Sequence, residues 1–138
     1  MLKAIYEGKL NALYRMDETA KAGLFVALDT ENEGFVKVAG VDDAFGVLSE
    51  DIKDYSGEEF GGYRSPVKPI AALGDKVGVY NQGGTYRTDL FDGTKTYAPG
   101  EALYFDGAKL TNVEPVDGVV VAEYLQMAGS VMQFELKL

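Results

Sequence analysis

The residues of this chain equipped for chemistry are carboxylates, tyrosines and arginines, because it contains no histidine and no cysteine. Without imidazole, a Ser-His-Asp relay, an HExxH zinc site and a facial-triad iron site are impossible in their usual form. Without thiols there is no thiolate nucleophile, no thiolate metal site and no disulfide framework. Neither GxxxxGK[ST] nor a strand-coupled GxGxxG occurs, so the familiar phosphate cradles are missing as well. Paired carboxylates acting on glycosides remain, and Glu58-Glu59, Asp42-Asp43 and Asp89 with Asp92 supply the atoms. Adjacent acids in loops are mostly solvated charge, and no motif fixes two of them across a cleft. The expectation is a protein that is not an enzyme and carries no cofactor and no metal.

The stretch DTENEG places Asp29, Glu31 and Glu33 at alternate positions before Gly34, like the first half of a calcium loop. The twelfth position is Gly40 rather than a glutamate, so a solvated acidic turn between two strands is the better reading. Two further phrases rhyme: GGYR with Tyr63 and Arg64, and NQGGTYR with Tyr86 and Arg87. Tyr and Arg displayed on glycine turns are favoured binding anchors, since they offer large contact area with a polar end. The plainer account of Tyr86 is an aromatic marking the start of a strand.

The elements that must position these groups follow from patterning. At 138 residues, 46% of them hydrophobic, the chain suits one compact domain able to bury a core without staples. Glycine is abundant, with 17 residues, and short apolar or alternating runs lie between Gly, Asp, Asn and Pro clusters. That grammar predicts an all-β domain, a barrel or sandwich of short antiparallel strands. The expected strands are Gly23–Leu28, Gly34–Ala39, Ala44–Leu48, Val67–Ala72, Lys76–Tyr80, Tyr86–Phe91, Ala102–Phe105, Val119–Leu125 and Val131–Lys137. The clearest alternation sets Met132, Phe134, Leu136 and Leu138 against Gln133, Glu135 and Lys137. Pro99-Gly100 reads as an entry turn to a hairpin with Leu103 and Phe105 on one face and Asp106-Gly107 at its tip.

Residues 2–16 fit a helix and a strand equally, since Leu2, Ile5, Tyr6, Leu10, Leu13 and Tyr14 satisfy either spacing around Gly8. We therefore divide the chain into 1–22, an N-terminal arm or first strand or helix, and 23–138, the β domain. The polar segment Ser49–Tyr63 reads as a long surface loop. KVAGVDDAFGVLSED (37–51) is weakly echoed by LTNVEPVDGVVVAEY (110–124), and the recycled grammar of β proteins accounts for this more economically than duplication. The opening residues lack a continuous apolar run, so neither a signal peptide nor a membrane span is expected, and synthesis in a cytoplasm is. With 22 acidic against 13 basic residues the formal charge is -9, which repels phosphate backbones and anionic lipid; no nucleic acid and no membrane are expected as partners.

The ordered phrases GLFVALD, GFVKVAG, AFGVLSEDI, GDKVGVY, APGEALYFDGAKLTN, DGVVVAEYL and SVMQFELKL resemble the small β-rich capsid decoration, or cement, proteins of tailed bacteriophages. The resemblance spans 23–138. It implies a non-catalytic virion protein made in the host cytoplasm, seated on the outer surface of a phage head and stapling major capsid subunits, as a homo-oligomer with three-fold closure as the first expectation. Residues 1–22 match no shared phrase. In such proteins an arm reaches onto the capsid, which marks Leu2, Lys3, Ile5, Tyr6, Lys9, Leu10, Leu13, Tyr14 and Arg15 as candidate capsid contacts, apolar anchors with local positive charge in an acidic chain. The competing reading is a carbohydrate- or receptor-binding β module using Tyr63, Arg64, Tyr80, Tyr86, Arg87 and Asp89 on exposed turns.

Overall fold

The computed structural model describes residues 1–49 and 70–138, and every described element is a strand or turn. The strands are β1 Leu2–Met16, β2 Ala20–Lys21, β3 Phe25–Leu28, β4 Phe35–Val38, β5 Gly46–Leu48, β6 Ile70–Ala71, β7 Lys76–Thr88, β8 Ala102–Phe105, β9 Leu110–Thr111, β10 Val120–Ala128 and β11 Val131–Leu136. Nine of them form one sheet in the order β1-β4-β3-β5-β7-β11-β10-β8-β9, and β1 also pairs with β7. That extra pairing closes β1, β4, β3, β5 and β7 into a ring. The rest of the sheet coils back over the outside of the same wall. Strands β2 and β6 make a small separate pair, Ala20 opposite Ala71.

Two cores follow, one on each face of the shared wall. Inside the ring, each strand contributes at least one side chain: Met16 from β1, Val26 from β3, Val36 from β4, Leu48 from β5, and Val77 with Val79 from β7. Outside it, Phe25, Val47, Tyr80 and Tyr86 meet Leu103, Phe105, Tyr124 and Phe134 from the coiled-back sheet. The Phe25 ring lies 5.2 Å from that of Phe105, and the Tyr86 ring 5.8 Å from that of Phe134. Strands with a core on both faces have no solvent side. Hence Phe25-Val26-Ala27 and Gly46-Val47-Leu48 are unbroken buried runs instead of alternating ones. Strand β11 has one core only and alternates, with Met132, Phe134 and Leu136 buried.

Strand β7 is much longer than the turn spacing predicts, and one pairing between the described strands is parallel, Arg15 and Met16 of β1 beside Phe35 and Val36 of β4. Residues 2–16 take the strand form, pairing antiparallel with β7 from Leu2 opposite Thr88 to Arg15 opposite Lys76. The expected strands at Lys76–Tyr80 and Tyr86–Phe91 are one strand, β7, which ends at Thr88. Asn81-Gln82-Gly83-Gly84 is therefore no turn. Its glycines serve a close crossing with β1: a Cβ on Gly8 would collide with the carbonyl oxygens of Gln82 and Gly83, and one on Gly84 with the Tyr86 hydroxyl and the Gly8 nitrogen. Gly84 also has φ +99°, which L side chains rarely adopt. The Tyr86 hydroxyl fills the space left free. It accepts from the Gly8 N–H at 3.0 Å and donates to the Gly83 carbonyl at 3.0 Å.

The hairpin at Asp106-Gly107 has the expected form. Tyr104 lies opposite Thr111 and Phe105 opposite Leu110, with Leu103 and Phe105 buried and Gly107 at φ +101°. The segments in the weak echo also correspond topologically. Strand β3 lies between β4 and β5, as β8 lies between β9 and β10, with antiparallel pairing in both triplets. The chain thus uses the same three-strand winding twice, and β7 and β11 join the two copies edge to edge.

If the Tyr86 hydroxyl locks the β1–β7 crossing, Tyr86→Phe should lower stability by about 1–3 kcal/mol, the cost of leaving partly buried polar groups unpaired. Gly8→Ala, which drives a methyl into backbone, should cost about as much or more. Urea unfolding checks both: the midpoint should fall while the slope holds, and an unchanged midpoint for Tyr86→Phe would rule out the lock.

Candidate functional site

Strand β1 is held at its ends and open along its middle. Leu2 and Met16 are buried, one in each core. The Met1 amine donates to the Ala22 carbonyl at 2.9 Å and to Asp89 at 3.0 Å. Of the nine candidate contact residues, Leu2 is core. Tyr14 is half-buried, edge-on to Phe45 at 5.4 Å, and Arg15 donates to the Gly74 carbonyl at 2.8 Å. Arg15 is exposed, as are the other six, Lys3, Ile5, Tyr6, Lys9, Leu10 and Leu13, with Tyr6 at 75% and Leu13 at 85%. A strand clamped at both ends thus presents large apolar side chains and lysines to solvent.

The residues of the competing reading are distributed differently. Tyr63 and Arg64 lie outside the described residues, as do Glu58, Glu59 and most of the Ser49–Tyr63 segment. Tyr86 is not on an exposed turn: it is wholly buried in β7. Tyr80 is also buried, and its hydroxyl donates to Glu7 at 2.7 Å. Arg87 donates through Nε to the Gln133 side chain at 3.0 Å, and Gln126 donates to the same oxygen at 3.3 Å, a polar rung across β7, β11 and β10. Asp89 receives the Met1 amine. Burial of Tyr80 and Tyr86 follows from the crossing: with β7 unbroken, both side chains fall on its outer-core face.

Three of the acids read from sequence, Asp29, Asp43 and Asp92, are turn formers. Asp29 accepts from the Glu31 and Asn32 backbones at 2.9 and 3.3 Å, capping the β3–β4 connection. Asp43 accepts from the Gly40 N–H at 2.6 Å, and Asp92 from the Thr94 N–H and hydroxyl at 3.0 and 2.6 Å. One acid pair has no sequence signal, because its members are distant in the chain. A side-chain hydrogen bond between Asp17 and Asp29 raises the pKa of Asp17 and holds that of Asp29 down to about 2. Asp17 follows directly on β1, and the parallel pairing of β1 with β4 brings it to the foot of the β3–β4 hairpin. Among the described residues no group of three or more acidic side chains is arranged to hold a metal ion.

Further exposed apolar side chains were not singled out by pattern. Val113, Val116 and Val119, on the connection from β9 to β10, and Val120 at the start of β10 are exposed, Val116 at 88%. Beneath this end Tyr97 stacks on Tyr124 with centroids 5.3 Å apart and donates to the Asp92 carbonyl at 2.7 Å. Burial, with the nearby charges of Asp92 and Glu101 adding to it, pushes the Tyr97 phenol up to about 12.

No protein-family model, curated protein or solved structure matches the chain.

Two predictions follow from this placement. Tyr6→Ser and Leu13→Ser should leave stability within about 0.5 kcal/mol of the parent, as surface changes do, whereas Met16→Ala should cost about 2–5 kcal/mol as a core truncation. Thermal or urea melts separate the two classes, and a large loss for Leu13→Ser would place that side chain in a packed environment. The second concerns pH. An unfolded tyrosine ionises near 10 while folded Tyr97 holds its proton to about 12, so unfolding releases a proton inside that window and stability falls as pH rises through it. Absorbance titration should show a late-ionising tyrosine that Tyr97→Phe removes, and a titration unaltered by Tyr97→Phe would contradict the assignment.

Proposed function

We propose that this chain is a structural virion protein, a capsid decoration protein that binds the outer surface of a phage head and stabilises contacts between major capsid subunits. The observation that carries the reading is the exposed, end-anchored middle of β1. Because Leu2 and Met16 fix the strand before any partner arrives, Tyr6 and Leu13 are displayed with little backbone freedom left to lose on docking. The lysines beside them supply local positive charge in an acidic chain, so contact with an acidic capsid surface does not meet the repulsion expected elsewhere on the molecule. The resemblance of the ordered strand phrases over 23–138 to decoration proteins points the same way.

In this reading affinity is a product of repetition. The head offers the same composite site many times, and a homo-oligomer engages several sites at once, so contacts that are weak singly give stable decoration together. The carbohydrate- or receptor-binding alternative loses two of its anchors, since Tyr80 and Tyr86 belong to the core.

The test is co-sedimentation with purified heads of the phage that encodes the chain. The parent protein should pellet with heads, and Tyr6→Ser with Leu13→Ser should reduce binding by roughly tenfold or more while the variant stays folded, as loss of interface anchors does. Retention of full binding by the folded double variant would move the docking surface away from β1, and no binding by the parent would sink the capsid reading.

A further inference from the structure

The backbone edge of β1 is a different surface from its side chains. One edge is paired with β7 throughout, and the other meets β4 only at Arg15 and Met16. Among the described residues no strand pairs with that second edge between Lys3 and Tyr14. An open strand edge offers a row of peptide N–H and C=O groups, a template for another strand. Register shifts occur at Ala4/Tyr6, Lys9/Leu10 and Asn11/Tyr14, so the regular stretch is Tyr6–Lys9, containing Glu7-Gly8-Lys9.

We infer that this edge pairs with the same edge of a second copy of the chain, antiparallel, about a two-fold axis at Gly8. The charges select both the partner and the register. A two-fold axis through an antiparallel pair sets one residue opposite itself, and its neighbours then face each other crosswise. Centred on Gly8, Glu7 faces Lys9 of the second copy, twice by symmetry, within the regular stretch. Centred on Glu7 or on Lys9, a like charge opposes itself; centred on Tyr6, Lys3 opposes Lys9. A centre at Ile5 falls on the shift between Ala4 and Tyr6. Opposite charges directly across a strand pair stabilise it and like charges weaken it. Lys9 makes no ion pair among the described residues. Glu7 uses Oε1 to accept from Tyr80, leaving its second oxygen for the lysine. At the centre, glycine carries no side chain to hold the two strands apart.

Antiparallel pairing of this kind closes with two copies, so the inference departs from the three-fold closure that the decoration-protein resemblance implies. It does not rest on the capsid reading. The two are compatible, because side chains stand off the sheet while the partner strand lies along its edge, and a dimer would carry two adjoining β1 surfaces.

Sedimentation velocity on the full chain without capsids, across a micromolar concentration series, tests it. The parent should sediment as a dimer. Lys9→Glu should weaken the dimer by about tenfold or more, since two symmetry-related pairs become repulsive together. Glu7→Lys should act similarly, and the double reversal Glu7→Lys with Lys9→Glu should restore the dimer by exchanging the charges. Lys9→Glu alone keeps the test decisive if Glu7→Lys disturbs the Tyr80 contact, and circular dichroism verifies that each variant is folded. A parent that remains monomeric, a trimer, or a dimer indifferent to Lys9→Glu would each overturn the inference. Capsid binding by a monomer would leave the proposed function standing without it.

Discussion

The architecture depends on β7 crossing β1 without interruption. Among the described strands, β7 alone both sends side chains into both cores and joins the ring to the coiled-back sheet through β11. Its continuity requires that the backbone of β1 come almost into contact with it at Gly8 and Gly84, where no side chain fits. Close approach alone would leave a polar hole. The Tyr86 hydroxyl fills it and hydrogen-bonds on both sides. Packing around the Tyr86 ring and pairing at its oxygen are therefore one constraint: the ring belongs to the outer core, and the oxygen reaches through to the crossing.

Features decided by neighbours in the chain were legible in the sequence. The alternation of β11, the β8–β9 hairpin and its Asp106-Gly107 tip depend on adjacent residues, and each takes the form its residues predict. Features decided by distant partners were not. NQGGT carries every local signal of a turn; what keeps it extended is Gly8, more than seventy positions earlier. The same error misplaces Tyr86 in the competing reading alone, since a tyrosine beside a turn is exposed and a tyrosine inside a doubly buried strand is not. The Asp17–Asp29 pair depends on a parallel β1–β4 contact that no local pattern announces. Of the candidate surface, the amphipathic character of residues 2–16 was visible, but its two forms were separable only by the presence of β7 as a partner.

The repeated winding gives the fold an internal logic. In each half a hairpin is followed by a strand that returns to the hairpin's other side, and the next strand along meets its counterpart at the middle of the sheet. The halves differ in what they carry. The first has β1 as an additional partner and closes into a ring; the second has no such strand among the described residues. Strand β1 is thus the asymmetric element of the molecule, and its exposed surface has no equivalent in the second half.

The order in which the chain emerges from the ribosome gives this arrangement a temporal side. Strand β1 is synthesised before β7, and the pairing of Leu2 with Thr88 cannot form until Thr88 has been made. Every nascent chain therefore passes through a period in which Ile5, Tyr6, Leu10 and Leu13 hang on an unpaired segment, and pairing over such sequence distance is slow because a long loop must close first. Such segments are where nascent chains meet one another or a chaperone. The lysines along β1 and the irregularities in its register are the features by which strand edges resist indiscriminate pairing, and their protection is needed earliest, before the fold exists.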